Sequence, residues 1–256
     1  LPQDKLVPLA EKLHVELPEI EVEDFRRSGY VPDAVVNYIA LLGWNPGEKE
    51  ADGKDLERFD RAYLDSKFDF GRVGKAASKF DREKLRAFNF DLIKSMEPAE
   101  FAKVWRTWAE RYDELLVQLL SAEQMHMLAP AIQPRAITLS EARQPIAFLF
   151  VDADAIEYDE KAVAKFMHKG EPAGADVLRE FAPRLAELEQ FTPEVIEARL
   201  ADYCEHEGLK MGSLAQPIRI AMTGAAVSPP LGVSLAALGK EETLRRIERC
   251  LGAVGV

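Results

Sequence analysis

The chain is 256 residues long, 47% hydrophobic and 30% charged, which is enough apolar side chain for two or more buried cores, and it holds no uninterrupted apolar run long enough to span a membrane. Its two cysteines, Cys204 and Cys250, make no C-x-x-C pair, so a disulfide framework and a thiolate metal site are both disfavoured. A net charge of -11 argues on its own against nucleic-acid binding, although a bulk charge does not fix the sign of a local patch.

The first 24 residues, LPQDKLVPLAEKLHVELPEIEVED, are acidic and lack the apolar core of a signal peptide, which predicts a soluble, cytosolic protein. In YVPDAVVNYIALLGW the apolar residues at 35, 36, 38, 39, 41 and 42 predict a helix of about three turns, with Pro32 and Asp33 as start signals and Asn45-Pro46-Gly47 as the stop. Residues 55–96 read as short helices led by Asp60, Asp69 and Asp81 as caps. From Pro98 to Pro130, Phe101, Val104, Trp105, Trp108, Tyr112, Leu115 and Leu116 recur at spacings of three and four and predict a long amphipathic helix. Pro130 and QPRAITLSEARQPIAFLF break that pattern.

Beyond DADAIEYDE, helices are predicted over 159–189, over 193–208 with Thr192 as cap, Pro193 at the first position and Gly208 as stop, over 212–226, and over 240–252 after Gly239. Strand signals are nearly absent. The chain therefore reads as all-α, in two or three compact pieces with boundaries near 96 and 157. Acidic side chains gather at 16–24, 152–160 and 205–207, and basic ones at Arg26 and Arg27 and at Lys240, Arg245, Arg246 and Arg249. Solvated helix faces are the plainest reading of such runs.

Signatures of catalysis fail. GRVGKAAS suggests a phosphate loop, but Ala76 follows Lys75 where Ser or Thr belongs, and Asp69 stands in place of the leading glycine, so a small-residue turn is expected. His14, His126, His168 and His206 are scattered, and Cys204 and His206 diverge on a helix, so no metal site is expected. No G-x-S-x-G elbow is present.

Four segments, in order, point further: DFRRSGYVPDAVVNYIALLGWNPGEKE, FDFGRVGKAASKFDREKLRAFN ending at Asn89, IQPRAITLSEARQPIAFLF, and KMGSLAQPIRIAMTGAAVSPPLGVSLAALGKEETLRRIERCL. The sequence resembles, through them, the part of bacterial glutamyl-tRNA synthetases that follows the catalytic domain, from about residue 20 onward. The resemblance implies an all-α stem-contact domain over 1–96 and two helical anticodon-binding subdomains, an α-helix cage, over 97–157 and 158–256. It implies tRNAGlu as partner, no membrane, a catalytic domain as partner in cis, and a monomer. No HIGH sequence and no KMSKS-type loop is present, so no cofactor is expected in this chain. ATP and Mg belong to the full-length enzyme, and this chain is not expected to activate glutamate by itself. A helical module that binds protein through its acidic surface, as part of a synthetase assembly, is the alternative. A shortened relative that glutamylates a modified base is disfavoured, because such relatives lack the anticodon-binding region.

Residue by residue, the resemblance puts Arg135 of QPRAITL where a family arginine contacts the third anticodon base and separates tRNAGlu from tRNAGln. Pro134 stiffens the backbone behind that planar donor fork. A helix-cap or salt-bridge role is the other reading of Arg135. Arg219 of AQPIRIAMTG matches a second anticodon-contacting arginine, and Ser228, Pro229 and Leu231 of VSPPLG match a threonine, proline and leucine that line the base pocket. Ser228 loses the threonine's methyl, and Pro230 stands where the family often has glycine. Gln216 and Thr223 are expected to join the loop to its helix. Arg26, Arg27, Arg245, Arg246 and Arg249 are candidates for phosphate contacts or for ion pairs with Glu241, Glu242 and Glu248.

Overall fold

A computed structural model describes residue 12, residues 19–74 and residues 78–255. The signal-peptide reading of the N-terminus, His14 and the Lys75–Ala76 turn thus lie at least partly outside the described residues, which contain no strand longer than the isolated bridges Trp44–Val73 and Lys49–Asp55. None of their helices is long and apolar enough to cross a membrane, and no group of three or more His, Cys, Asp or Glu among them is placed to hold a metal ion. The chain divides into two compact units, residues 1–96 with 136–141, and residues 97–135 with 142–256.

In the first unit, helices α1 (Val22–Arg27), α2 (Pro32–Leu41), α3 (Arg61–Lys67) and α4 (Arg82–Ser95) begin where local signals put them. Pro32 fills the first position of α2, and the Asp60 and Asp81 carboxylates accept the amides of Tyr63 and Lys84. Tyr30, Tyr38, Leu85 and Phe88 form the core. Asn89 holds this unit together: its Oδ1 accepts the Val31 amide at 2.7 Å, and its Nδ2 donates to the Ile137 carbonyl at 2.6 Å. Residues 136–141 return to α4 through Arg86 and Glu141, 2.8 Å apart. Gly29 is required where they pass, because its φ is +82° and a Cβ would stand 2.6 Å from the Ser140 nitrogen.

The second unit contains α5 (Pro98–Tyr112), α6 (Glu114–Leu119), α7 (Ala122–Ile132), α8 (Glu160–Phe166), α9 (Gly174–Ala186), α10 (Pro193–His206), α11 (Met211–Thr223), α12 (Leu231–Leu238) and α13 (Lys240–Ala253). Short 3-10 segments occupy Gln133–Arg135, Glu141–Phe150 and Ala153–Ala155. The single long helix expected from residue 98 is three helices. The Asp113 carboxylate caps α6 by accepting the Leu116 amide, and Ser121 with Gln124 forms a capping box on α7. Pro130 does not end α7, which runs on to Ile132. The helix expected over 159–189 is likewise two, interrupted at residues 167–173 around Gly170 and Pro172, and α12 is a helix where only a loop was expected.

Helix α5 packs on α7 with Phe101 and Trp105 wholly buried, α9 packs on α11 and α13, and α10 on α12. Met167, Phe181, Leu200, Leu214, Ile218, Met222, Leu235 and Ile247 belong to the main core. Gly174 permits the close approach of α9, since a Cβ there would meet the Phe166 carbonyl oxygen at 1.9 Å and Pro217 at 2.8 Å. Buried apolar surface contributes roughly 25 cal/mol per Å², so this core supplies most of the force that fixes α11 and the loop after it.

Candidate nucleic-acid interface

Helix α11 ends at a residue that only glycine can occupy. Gly224 adopts φ +78°, donates its amide to the Ile220 carbonyl at 2.8 Å, and accepts the Asp159 amide at 2.8 Å on its own carbonyl. A Cβ there would lie 2.0 Å from the Glu157 carbonyl oxygen. The Thr223 hydroxyl then gathers the turn. It lies 2.9 Å from the Arg219 carbonyl, 2.8 Å from that of Ala225 and 3.3 Å from that of Val227, and accepts the Ala225 amide at 3.1 Å. Thr223 thus joins loop to helix, whereas Gln216 leaves its Oε1 buried and without a hydrogen-bond partner among the described residues.

The far end of the loop is fixed as firmly. The Ser228 hydroxyl donates to the Pro229 carbonyl at 2.7 Å, the Ser234 amide donates to the Pro230 carbonyl at 3.0 Å, and the Gly232 amide donates to Glu197 Oε1 at 2.7 Å. Pro229 is buried and Leu231 is 4% exposed. The expected wall therefore needs correction: both side chains pack inward, and the apolar side chains that face solvent are Val227, 73% exposed, and Pro230.

Arg219 is half-buried one turn before Thr223, and among the described residues it makes no ion pair. Arg135 ends the 3-10 turn after α7 and is exposed, also with no ion pair among the described residues. No hydrogen bond of the described residues links Arg135 to Arg219 or to the 224–231 loop. In the first unit, Arg26 and Arg27 are exposed in the last turn of α1, and Arg26 lies 3.7 Å from Glu23.

The arginines of α13 are engaged differently. Arg246 is 1% exposed; it pairs with Glu242 at 2.7 Å and donates to the carbonyls of Phe148 at 2.9 Å, Met222 at 2.8 Å and Val151 at 2.5 Å. Four of its five N–H donors are taken and the side chain is out of reach of solvent, so Arg246 serves the fold and is not free to meet a phosphate. Arg245 sits among Asp154 at 2.8 Å, Asp152 at 3.2 Å and Glu242 at 3.4 Å. Those carboxylates hold the guanidinium in its charged form, Asp154 most strongly, and the Asp152 carboxyl lies below its ordinary pKa because the Asp154 amide and then Arg245 stabilise its charge. Arg249 donates to the Ile156 and Asp154 carbonyls and to the Tyr158 hydroxyl. Among the described residues only Glu242 of the expected ion-pair partners takes part, and Asp152 and Asp154 supply the other carboxylates.

The "Anticodon binding domain" family matches residues 78–251. The chain belongs to that family. It is 35% identical to a glutamate–tRNA ligase of Cutibacterium acnes over 233 residues, which are 88% of this chain and 45% of the relative. It is 36% identical to one from Frankia casuarinae, over 93% of this chain and 48% of that one. A crystal structure of a glutamate tRNA ligase from Elizabethkingia meningosepticum superposes with a TM-score of 0.71 at 26% identity, covering 90% of this chain and 43% of that one. The chain spans about half the length of the curated relatives it matches, and the match falls on their C-terminal part.

Within this anticodon-binding-domain protein, sequence reasoning missed Val227 and Pro230 as the outward side chains. SPPL and the residues before it are uniformly small or apolar, and nothing in their order says which face the core.

Proposed function

We propose that the chain binds the anticodon arm of a transfer RNA and reads its unpaired bases, as the tRNA-recognising portion of a glutamate–tRNA ligase. The observation that carries the reading is that Arg135 and Arg219, at the end of the turn after α7 and on α11, make no ion pair among the described residues, in a unit where Arg143, Arg179, Arg199, Arg245 and Arg246 are ion-paired. An unmatched guanidinium on a rigid element keeps its planar donor fork for a base edge. Arg135 meets the third anticodon base and favours tRNAGlu over tRNAGln. Arg219 and the Ser228 hydroxyl meet the edges of neighbouring bases, while Pro229 and Leu231 hold the loop from within. Arg26 and Arg27 contact phosphates, which positions the RNA without reading it.

On this reading residues 1–96 are the stem-contact part, and 97–157 and 158–256 are two anticodon-binding subdomains, acting in the cytoplasm as a monomer. In a full-length ligase, ATP and Mg serve glutamate activation elsewhere, and anticodon reading places the acceptor end for transfer. Binding of tRNAGlu, and of the same tRNA with its third anticodon base changed from C to G, measured across a salt series, tests the proposal. Tighter binding of the unchanged tRNA supports it; equal binding of the two, or none, refutes it.

A further inference from the structure

Arg135 and Arg219 stand in different parts of the second unit. Arg135 ends the turn after α7, Arg219 lies on α11, and residues 142–159 carry the chain from the helices α5–α7 to the helices α8–α13. Two bases of one RNA can be met together only if these two sets of helices keep a fixed spacing. Arg246 is placed to fix it. Its guanidinium gathers carbonyls from the crossing segment, Phe148 at 2.9 Å and Val151 at 2.5 Å, and from the last turn of α11, Met222 at 2.8 Å. Met222 is followed directly by Thr223 and Gly224, which open the loop after α11. Glu242, 2.7 Å from Nε, holds the fork at its base.

The last carbonyls of a helix have no partner within it, and buried ones must find donors elsewhere. Here two helical ends, that of the 3-10 segment Glu141–Phe150 and that of α11, turn carbonyls to one guanidinium, whose charge also suits the negative end of each. The crossing segment is anchored on its other side, where Arg143 donates to both Asp113 oxygens, at 3.0 and 3.1 Å, between α5 and α6. We propose that Arg246 is a positioning residue: by joining residues 148–151 to the end of α11, it holds Arg135 and Arg219 at the one spacing at which an anticodon loop meets both. The inference rests on the anticodon-reading proposal above and adds to it a residue that touches no RNA. A second tie, Gln124 Nε2 on the Ala237 carbonyl at 3.2 Å, joins α7 to α12. It remains when Arg246 is lost, so the spacing loosens without the parts separating.

The test measures the dissociation constants of tRNAGlu and of its third-base variant for the unaltered chain, Arg246→Lys and Leu185→Ala, at a temperature where circular dichroism shows each to be folded. Lysine keeps the charge but has one nitrogen where the fork has three, so it cannot serve Phe148, Val151, Met222 and Glu242 from their present directions. Leu185 is a fully buried side chain of α9, and its truncation opens a cavity while leaving every partner of Arg246 in place. With the spacing fixed, a second contact forms at high effective concentration; with it loose, the RNA that makes both contacts loses most. Arg246→Lys therefore weakens binding of tRNAGlu by about tenfold and of the third-base variant by about twofold, so their ratio shrinks about fivefold. Leu185→Ala leaves the ratio unchanged. Glu242→Gln, which frees the fork at its base, shrinks the ratio by less, and it stands in should Arg246→Lys not fold. A ratio that survives both Arg246→Lys and Glu242→Gln overturns the inference and leaves the anticodon reading standing. A ratio that shrinks equally with Leu185→Ala also overturns it, because loss of stability alone then accounts for the change. If the unaltered chain does not separate the two RNAs, the reading fails and the inference with it.

Discussion

Helix α13 and the turn that closes α11 both carry arginines in one unit, yet they spend them in opposite ways. On α13, Arg245, Arg246 and Arg249 are spent on Glu242, on the 152–158 segment and on backbone carbonyls, so the densest basic run of the sequence is structural. On α11, a single arginine in an otherwise apolar stretch has no ion-pair partner among the described residues. A run of like charge in sequence thus says little about positive potential at the surface. What counts is whether carboxylates and carbonyls have already been brought to it.

Removing Arg246 breaks this contrast most severely. Arg246→Ala removes a buried guanidinium, leaves the Phe148, Met222 and Val151 carbonyls without its hydrogen bonds and leaves Glu242 with Arg245 alone, which should cost about 3–5 kcal/mol of stability, read by urea denaturation. Gly224→Ala comes next. The φ of +78° and the clash with the Glu157 carbonyl should cost roughly 2 kcal/mol or more and loosen the loop, so tRNA binding and stability fall together. Arg245→Ala should do little to either, because the ion pairs it loses are solvent-exposed and screened.

The smallest effect concerns pH. Burial pushes the Cys250 thiol from its ordinary 9.0 up to about 11, and burial aided by Glu180 pushes the Tyr203 phenol up to about 12. Both folded-state values are raised, so both groups favour the fold fully below their unfolded pKa values. That contribution is lost as pH climbs from 9 toward 11 and beyond. Stability measured across that window should decline, and Cys250 in the native protein should resist thiol reagents near pH 8.

Much of the fold was legible because its signals are local. Asp60, Asp81 and the Thr192–Pro193 pair each start a helix by satisfying amides within three residues, and such chemistry is visible in a single line of sequence. The breaks at Asp113 and Ser121 were also local, a cap and a capping box, but the apolar spacing from Phe101 to Leu116 overrode them. Leu115, which that spacing assigns to the packed face, is 44% exposed. The interface was legible only in outline. Arg135 and Arg219 could be named from motifs, whereas the burial of Leu231 depends on the packing of α12 against α10, and the burial of Arg246 on carbonyls 24 to 98 residues away. No local pattern carries that information.

The contrast between free and spent arginines is tested most directly by one ratio, the dissociation constant of the third-base tRNA variant over that of tRNAGlu. It is to be measured for the unaltered chain, for Arg135→Gln and for Arg245→Ala at one salt concentration. The account predicts that Arg135→Gln shrinks the ratio toward one, by about tenfold, while Arg245→Ala leaves it unchanged. A ratio that survives Arg135→Gln, or collapses with Arg245→Ala, would contradict it.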